Sequence, residues 1–318
     1  MRGLRAVGIG LLHLPPVTLL FIGTTATDWL AFGVFYVLVL FALGAGLHRY
    51  FAHGAFTASR PMQLVLAALA GAFFADPIRF AGSHRLHHRW ADTPRDFHGP
   101  ARGWWFSWIG HHLEDGYSDS ELLAAARDLA QRPELMWLHR YSYVSGTGAA
   151  ALTWLLGGYG VFAAGYCLAW CLVGIHGGSA VNYFCHKSGR RRFETPDRST
   201  NNTFLGYVLF GEGWHNNHHR FPGAARAGVR WYELDLLFYM LRVLTRVGLI
   251  SSLRDIPETH AAGESRGQGE ASQGKSDRGE SSGRGSHGWG AVEAQAKPWL
   301  KSGAMKAGSK TYGGPPTI

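Results

Sequence analysis

The sequence is poor in charged residues and in cysteine. Asp, Glu, Lys and Arg make up only 17% of its 318 residues, which argues against a chain built of soluble domains. The cysteines are Cys167, Cys171 and Cys185. An odd number without a Cys-x-x-Cys pair excludes a disulfide framework and a thiolate zinc site. Each lies in apolar sequence, so we expect three small buried hydrophobic residues.

The composition divides the chain into two unlike parts. Residues 1–185 contain long apolar runs, whereas about the last 60 residues are rich in Gly, Ser and charged residues. We therefore expect a membrane domain over residues 1–257 and a disordered tail over residues 258–318. The net charge of +9 is compatible with a nucleic-acid partner or with an anionic membrane face.

Four apolar stretches approach the length of about 20 residues that crosses a membrane. They are residues 7–25, residues 29–47, and two within residues 146–183 that a glycine-rich break at residues 157–160 separates. A signal peptide is the alternative for the first stretch, but no cleavage site follows it and a second span begins at once. A further run, residues 62–80, is interrupted by polar residues and predicts one helix at the membrane interface.

The distribution of Arg and Lys predicts the orientation of the four spans. The links after the first and third spans carry no basic residue, whereas Arg2, Arg5, the stretch of residues 49–140 and the chain after residue 190 lie on the other side. The positive-inside rule then places both termini and the middle loop in the cytoplasm. Because the membrane accounts for the basic excess, we expect no nucleic-acid partner.

Histidine is abundant, with 17 residues, and eight of them form three clusters. These are His48 and His53; His84, His87 and His88; and His215, His218 and His219. In His-x-x-His-His the three side chains share one helical face, and the i+3 and i+4 rings diverge enough to reach two different metal ions. His48 and His53 are about 140° apart on an α-helix, so they need not bind the same metal.

Eight imidazoles exceed the needs of one tetrahedral zinc, and neutral imidazole suits iron, copper, zinc and nickel. A carboxylate di-metal bundle would use two Glu-x-x-His motifs, but the chain has only one, at residues 212–215. We therefore expect imidazole ligands. Glu212, Asp92, Asp96 and His98 are expected to orient them by hydrogen bonding.

The other histidines have simpler expected roles. His13, His139 and His176 lie in apolar sequence and are expected to be hydrogen-bonded core residues. His111 and His112 lack a third partner, and His260 and His287 are expected to be solvated. Interfacial hydrogen bonding is the alternative for the three clusters, but it does not explain why all three fall on one predicted face of the membrane.

These motifs resemble those of the membrane acyl-CoA desaturases of the stearoyl-CoA, delta-9 type. The similarity rests on residues 46–53, 83–89 and 211–222, on the Asn-x-x-x-His of residues 182–186, and on the loop of residues 91–107. It covers about residues 30–235. The chain departs from the family at residues 107–111, where it has Ser-Trp-Ile-Gly-His.

The resemblance implies a non-haem di-iron centre, with Asn182 reaching one iron through a water molecule. It adds His186 to the eight clustered histidines, which gives nine ligands. Only Arg102 remains of an Arg pair that meets the substrate's carrier group in the family, and the carrier could be CoA, acyl carrier protein or a glycerolipid. The implied fold is all-α: a four-transmembrane-helix bundle with a cytoplasmic helical cap that carries the histidine-ligated site, in an integral multi-pass membrane protein.

The implied reaction is the O2-dependent insertion of a cis double bond into a long-chain acyl group, with two Fe as cofactor and O2 as co-substrate. Phe73, Phe74, Trp104 and Trp105 are candidates for lining the acyl tunnel or for an interfacial belt. The tail lacks a haem-binding His-Pro-Gly-Gly pattern, so the electron donor is expected to be a separate ferredoxin or b-type cytochrome with its reductase. The alternatives are a related di-iron lipid hydroxylase and a non-catalytic membrane metal-binding protein.

Overall fold

A computed structural model describes residues 2–114 and 116–257, and the predicted tail of residues 258–318 lies outside them. The described chain is mostly helical. Its α-helices are α1 (Arg2–Ile22), α2 (Ala26–Leu40), α3 (Arg60–Gly71), α4 (Pro77–Trp90), α5 (His111–Leu113), α6 (Asp119–Ala125), α7 (Arg127–Ala130), α8 (Pro133–Gly160), α9 (Gly178–Phe184), α10 (Thr203–Val208), α11 (His215–Arg220) and α12 (Leu236–Arg246).

Wider and tighter helical turns connect several of these elements. The π-helices are Phe41–Ala52, Phe106–Gly110, Val161–Leu168 and Trp170–Gly177, and Pro100–Arg102 is a 3-10 turn. Two short strands, β1 (Thr57–Ala58) and β2 (Ile250–Ser251), pair antiparallel, with Thr57 opposite Ser251. This pair ties the end of the described chain to the segment that follows the first histidine cluster.

Within residues 2–114 and 116–257, three helical stretches are long and apolar enough to cross a membrane, which indicates membrane association. They are Arg5–Ile22, Ala26–Ala52 and Pro133–Phe184. The second begins earlier than its apolar run because a capping box starts the helix: the Thr25 hydroxyl accepts from the Asp28 backbone N–H at 3.3 Å, and Asp28 Oδ2 accepts from the Thr25 N–H at 2.8 Å.

The third stretch, of 52 residues, is a helical hairpin that reverses at Gly158. Gly158 has φ of +76°, a left-handed conformation that glycine adopts at no steric cost. Residues on the two sides of it touch. The Trp154 and Phe162 rings stack with centroids 5.4 Å apart, and the Tyr166 hydroxyl donates to the Gly146 carbonyl at 3.2 Å. The glycine-rich break expected at residues 157–160 is therefore where the chain turns back.

The expectation of a single interfacial helix over residues 62–80 is wrong. The chain forms two helices there, α3 and α4, separated by a turn at Phe74. Asp76 starts α4, because its Oδ1 accepts from the backbone N–H groups of Ile78 and Arg79, at 2.9 and 3.2 Å. Pro77 occupies the first helical position. This new helix carries the second histidine cluster.

The hydrophobic core lies directly beneath the histidines. Leu47 and Phe51 on the π-helix Phe41–Ala52 pack with Leu66 of α3, Ile78 of α4 and Leu237 of α12, and all five are almost fully buried. These contacts join helices that are distant in sequence. They hold α4, which carries the second histidine cluster, against the end of the second span, which carries the first.

Candidate metal centre

Nine histidines converge in two adjoining clusters. Cluster A comprises His48, His53, His84, His88 and His218, and cluster B comprises His87, His186, His215 and His219. Within each cluster the imidazole nitrogens that face one another are the Nε2 atoms. The clusters meet where the His88 and His219 rings stack with centroids 4.3 Å apart.

The Nε2 atoms are spaced as donors to a shared ion would be. In cluster A, Nε2 of His84 lies 2.9 Å from that of His53 and 3.0 Å from that of His88. The Nε2 atom of His218 lies 2.9 Å from that of His88 and 3.0 Å from that of His48. Two nitrogens each about 2.1 Å from one metal ion, at a right angle, are about 3.0 Å apart.

Cluster B has the same spacing and a buried unpaired donor. The Nε2 atom of His215 lies 3.0 Å from those of both His186 and His219. The Nε2 atom of His87 is buried without a hydrogen-bond partner among the described residues. A buried nitrogen without a partner is costly unless it binds something, so the residues present fit a metal ion here as well.

The spacing within each His-x-x-His-His motif divides its side chains between the clusters. His84 and His88, four apart on α4, both enter cluster A, and His87 enters cluster B. On α11 the arrangement is reversed, because His215 and His219 enter cluster B and His218 enters cluster A. Adjacent imidazoles therefore do diverge toward two positions, as expected from helical geometry.

His48 and His53 lie in one cluster, contrary to the separation that an α-helix would give them. The segment Phe41–Ala52 is a π-helix, in which each N–H bonds five residues back. The His53 N–H accordingly donates to the His48 carbonyl at 3.2 Å. The wider turn brings residues five apart onto the same face.

Four carboxylates accept hydrogen bonds from Nδ1 of these histidines. Glu212 Oε2 lies 2.5 Å from His48, and Asp197 Oδ2 lies 2.7 Å from His219. Asp92 Oδ2 lies 3.0 Å from His186 Nδ1, and both oxygens of Asp96 lie 3.1 Å from His87 Nδ1. With Nδ1 protonated, Nε2 presents its lone pair to the cluster.

The carboxylates are distributed unequally. Three of the four serve cluster B, and the one that serves cluster A, Glu212, also accepts from Arg49 at 3.0 Å. Burial alone would raise the pKa of Asp96, but the charge and hydrogen bond of His87 hold that pKa well below its usual range. The same holds for the pKa of Asp197 beside His219. Cluster B is therefore ringed by negative charge.

Burial favours the neutral, metal-binding form of most of these rings. It lowers the pKa of His53, His84, His88, His215 and His218 well below the ordinary value. The pKa of His219 is lowered to about 4 by burial, although Asp197 opposes the shift. At His87 burial lowers the pKa, but the charge and hydrogen bond of Asp96, together with the charges of Asp92 and Asp197, raise it above the ordinary value.

The remaining candidate residues lie around the clusters. His98 stacks on His87 with centroids 4.7 Å apart, and burial lowers the pKa of His98 to about 3. Asn182 is half-buried on α9, one helical turn before His186. The Arg102 guanidinium lies over the Phe106 ring, 3.6 Å from its centroid, and 3.7 Å from Glu114. Its expected role toward a carrier group stays a prediction.

The histidines outside the clusters have partners. His13 Nε2 lies 3.1 Å from Nε2 of His176, whose Nδ1 accepts from the Trp108 indole N–H at 3.0 Å. His139 Nδ1 lies 2.5 Å from Asp76 Oδ2. His111 and His112 lie side by side, with centroids 3.9 Å apart. His260 and His287 lie outside the described residues.

The aromatic candidates divide by burial. Phe73 packs in the core between Tyr166 and Trp170, whereas Trp104 and Trp105 are exposed. Phe74 lies against Gly146, where an added Cβ would be 2.3 Å from the Phe74 Cδ1 atom.

The chain matches known proteins along most of its described length. Residues 27–249 match the family model described as fatty acid desaturase. The icosanoyl-CoA 5-desaturase of Limnanthes douglasii is 35% identical, over 71% of this chain and 66% of that protein.

The chain belongs to the fatty acid desaturase family.

Relatives within this family differ in the acyl carrier that their names state. The sn-1 stearoyl-lipid 9-desaturase of Anabaena variabilis is 32% identical, over 71% of this chain and 85% of that protein. The delta-9 acyl-lipid desaturase 2 of Arabidopsis thaliana is 31% identical, over 73% of this chain and 76% of that protein. Desaturases are oxidoreductases, so the family places the chain among enzymes of lipid metabolism.

Several residues that build this desaturase's site were missed from the sequence. Asp197 carries no local signal, because its loop is brought to His219 only by folding. Asn201 Oδ1 accepts from the backbone N–H groups of Asn216 and Asn217, at 2.9 and 3.2 Å, and so fixes the first turn of α11. The asparagines of the His-Asn-Asn-His-His motif could have suggested such a role, since buried amides need partners.

Two arginines adjacent to histidines tie the motifs together. Arg49 pairs with Glu212 and with Asp235, each at 3.0 Å, and so links the first cluster to the third. Arg85 donates to the carbonyls of Phe51 and Ala52, at 2.9 and 2.8 Å, and so fixes α4 against the end of the π-helix. These buried charges are fully hydrogen-bonded, which makes the geometry of the clusters rigid.

Proposed function

We propose that the chain is an integral membrane fatty acyl desaturase that holds two irons. The enzyme uses O2 as co-substrate to insert a cis double bond into a long-chain acyl group. The observation that carries the proposal is the pair of imidazole clusters, with Nε2 atoms spaced 2.9–3.0 Å apart. Imidazole-rich sites suit iron, and five and four ring nitrogens leave coordination positions open.

The nine histidines of clusters A and B would hold the irons, and Asn182 would hold a water molecule beside cluster B. Iron bound there would allow O2 to act as the oxidant that removes two hydrogens from an unactivated pair of methylenes, and two electrons from the separate donor with two protons would complete the reduction of O2 to two water molecules. Burial favours the neutral form of most of the rings, the carboxylates on Nδ1 orient Nε2 inward, and the cluster B side chains are buried away from water.

The rigid frame of the site gives selectivity. The acyl chain must be held so that one C–C bond faces the irons, because a displacement of about 1 Å costs roughly a hundredfold in rate. Arg49 ties the π-helix Phe41–Ala52 to Glu212, which shortly precedes α11, and Arg85 ties α4 to the end of the same π-helix. A protein that only stores metal needs ligands but no fixed geometry around them. The fixed geometry therefore favours an enzyme.

We further propose four membrane spans, with both termini and the metal centre in the cytoplasm. The hairpin reversal at Gly158 supports two spans within Pro133–Phe184, in addition to α1 and the stretch Ala26–Ala52. The basic residues fall on the side of the histidines, and the positive-inside rule assigns that side to the cytoplasm.

The proposed substrate is a long-chain acyl-CoA desaturated at the delta-9 position. A groove of about 170 Å³ lined by Arg95, Arg102, Phe97 and Tyr117 offers two guanidinium groups to a phosphorylated carrier. Glu121 also lines this groove and pairs with Arg95 at 3.7 Å. Electrons would come from a separate ferredoxin or b-type cytochrome with its reductase.

The test is fatty-acid profiling of a host that lacks its own delta-9 desaturase and expresses the full chain. We expect a new monounsaturated acid, whose double-bond position mass spectrometry assigns. His218→Ala should abolish the product, whereas His176→Gln, a matched variant outside both clusters, should retain it at equal membrane level. A hydroxylated acid in place of the alkene would identify a lipid hydroxylase and contradict the proposal.

An assay with isolated membranes distinguishes the three carriers. Labelled stearoyl-CoA, stearoyl-acyl carrier protein and a stearoyl glycerolipid are supplied in parallel with NADH, reductase and electron carrier. Conversion of the CoA ester before label enters lipid supports the proposed carrier. Conversion of the glycerolipid alone would refute it and leave desaturation itself intact.

A further inference from the structure

An apolar and aromatic surface is exposed on the last described helices. Trp231 is 92% exposed and Phe204 is 72% exposed, and both are large apolar residues. Tyr239 and Val243 of α12 and Val247, the residue that follows the helix, recur every four residues and are all exposed. We refer to these side chains as the aromatic surface: Phe204, Tyr207, Trp231, Tyr239, Val243 and Val247.

The parts of this surface are joined by hydrogen bonds. The Tyr207 hydroxyl on α10 donates to the Tyr232 carbonyl at 2.6 Å, and the Leu237 N–H at the start of α12 donates to the Phe210 carbonyl at 3.2 Å. The opposite face of α12 is buried through Leu237, Phe238 and Leu241. The helix therefore has one face in the protein core and one apolar face with no cover from the described chain.

Contacts with the second span give the depth of this surface. The Tyr36 hydroxyl donates to the Val208 carbonyl at 2.6 Å, and a Cβ added at Gly44 would lie 2.3 Å from Leu237 Cδ1. Counted from Ala26 at 1.5 Å per residue, Tyr36 and Gly44 lie about 15 and 27 Å along the span. A hydrocarbon core about 30 Å thick that begins near Ala26 ends close to Gly44. The start of α12, at Leu237, thus lies where the span leaves the lipid, whereas α10, through Val208, contacts a deeper part of the span.

Arginines border the aromatic surface. Arg242 and Arg246 are exposed beside Val243 and Val247. A groove of about 440 Å³ lies at the same edge, lined by Arg226, Phe238, Tyr239, Arg242, Leu253 and Asp255. The Arg226 and Arg242 guanidinium carbons lie 5.8 and 6.0 Å from the Phe238 ring centroid. Asp255 partly offsets this charge, since it lies 4.0 Å from Arg226.

We propose that the aromatic surface lies in the lipid on the metal-centre side of the membrane, with its α10 part in the acyl region and its α12 part in the headgroup layer, where Arg242 and Arg246 lie against anionic headgroup phosphates. Apolar and aromatic groups at the acyl boundary with arginines beside them are the pattern of an interfacial helix. The Trp214 indole N–H donates to the Leu234 carbonyl at 2.9 Å. Since α11 begins at His215, directly after Trp214, this contact also sets the depth of α11 in the membrane. The inference does not depend on the reaction proposed above.

Spin labels on the full chain test the depth directly. The native cysteines are buried, so a nitroxide can be placed selectively at Val243→Cys or Val247→Cys. The control is Glu194→Cys, exposed on the loop that carries Asp197. In proteoliposomes, we expect labels at 243 and 247 to collide several-fold more with lipid-soluble O2 than with the water-soluble nickel chelate, and the label at 194 to show the reverse. Equal nickel accessibility at 243 and 194 would overturn the proposal.

A second measurement tests the headgroup chemistry. Adding phosphatidylserine to phosphatidylcholine vesicles should lower the nickel accessibility of the label at 243, and Arg242→Gln with Arg246→Gln should remove that effect while the fold is retained. If phosphatidylserine does not change the nickel accessibility of the label at 243 while Arg242 and Arg246 are both present, the role of the arginines is refuted. A label that stays water-accessible in both bilayers, and is protected only when a soluble electron carrier is added, would identify a protein docking surface instead.

Discussion

Replacing Asp96 by Asn removes a charge from cluster B and almost nothing else. Asp96 is fully buried, and both of its oxygens lie 3.1 Å from His87 Nδ1. Oδ2 also accepts from the Asp92 backbone N–H at 3.1 Å. Asn has the same shape, but its NH2 group must face one of these two donors. The His87 tautomer with Nδ1 protonated, which leaves Nε2 free to bind metal, is then less favoured.

The expected cost follows from the hydrogen bond that is lost. A hydrogen bond to a charged group contributes about 1.5–3 kcal/mol. Since about 1.36 kcal/mol corresponds to a factor of ten, the affinity of cluster B for its metal should fall roughly 10- to 100-fold, the usual range for outer carboxylates. Cluster A has no contact with Asp96 and should keep its affinity.

Metal retention against a graded chelator, measured on purified chain in lipid nanodiscs, separates the two sites. The unsubstituted chain should lose both metals only at a high chelator concentration. Asp96→Asn should lose one metal at a chelator concentration 10- to 100-fold lower. The matched control is Asp119→Asn, whose exposed carboxylate pairs with Arg79 at 3.0 Å and should have little effect. If Asp96→Asn folds and keeps both metals as tightly as the control, the orienting role given to the carboxylates is wrong.

The remaining predictions concern packing, the tail and topology. Gly44→Ala should lower stability by about 1–3 kcal/mol in thermal unfolding, because its Cβ would lie 2.3 Å from Leu237 Cδ1. Gly46→Ala, whose Cβ would have nothing closer than 3.8 Å, should be neutral or slightly stabilising, and equal effects would contradict this packing. Truncation after Pro257 should leave desaturation unchanged at matched membrane level. Loss of product with metal retained would show that the tail recruits the electron donor. A reporter fused to the C-terminus should be found in the cytoplasm, and one on the outer face would refute the proposed orientation.

The histidine clusters could be predicted from the sequence because their spacing is local. Positions i, i+3 and i+4 of a helix have directions that hold in any fold, so the division of His84, His87 and His88 between two positions follows from sequence alone. The reversal at Gly158 had an equally local signal, a glycine-rich break in an apolar run.

Other features depend on folding. The π-helix that brings His48 and His53 together has no simple sequence signature, and an α-helical interpretation separates them. Asp197 reaches His219 from a loop 22 residues away, through tertiary packing. The start of α4 was predictable but missed, because Asp76 followed by Pro77 is a typical helix beginning inside what otherwise reads as a continuous apolar run.

In the proposed enzyme, the two clusters of histidine hold two irons. The most direct measurement is quantitative elemental analysis of the intact chain, purified from membranes without added metal and normalised to amino-acid analysis. We expect about two iron atoms per chain, and a loss of metal in His88→Ala and in His215→Ala while His176→Gln keeps the full content. A single stoichiometric zinc with no iron would contradict it.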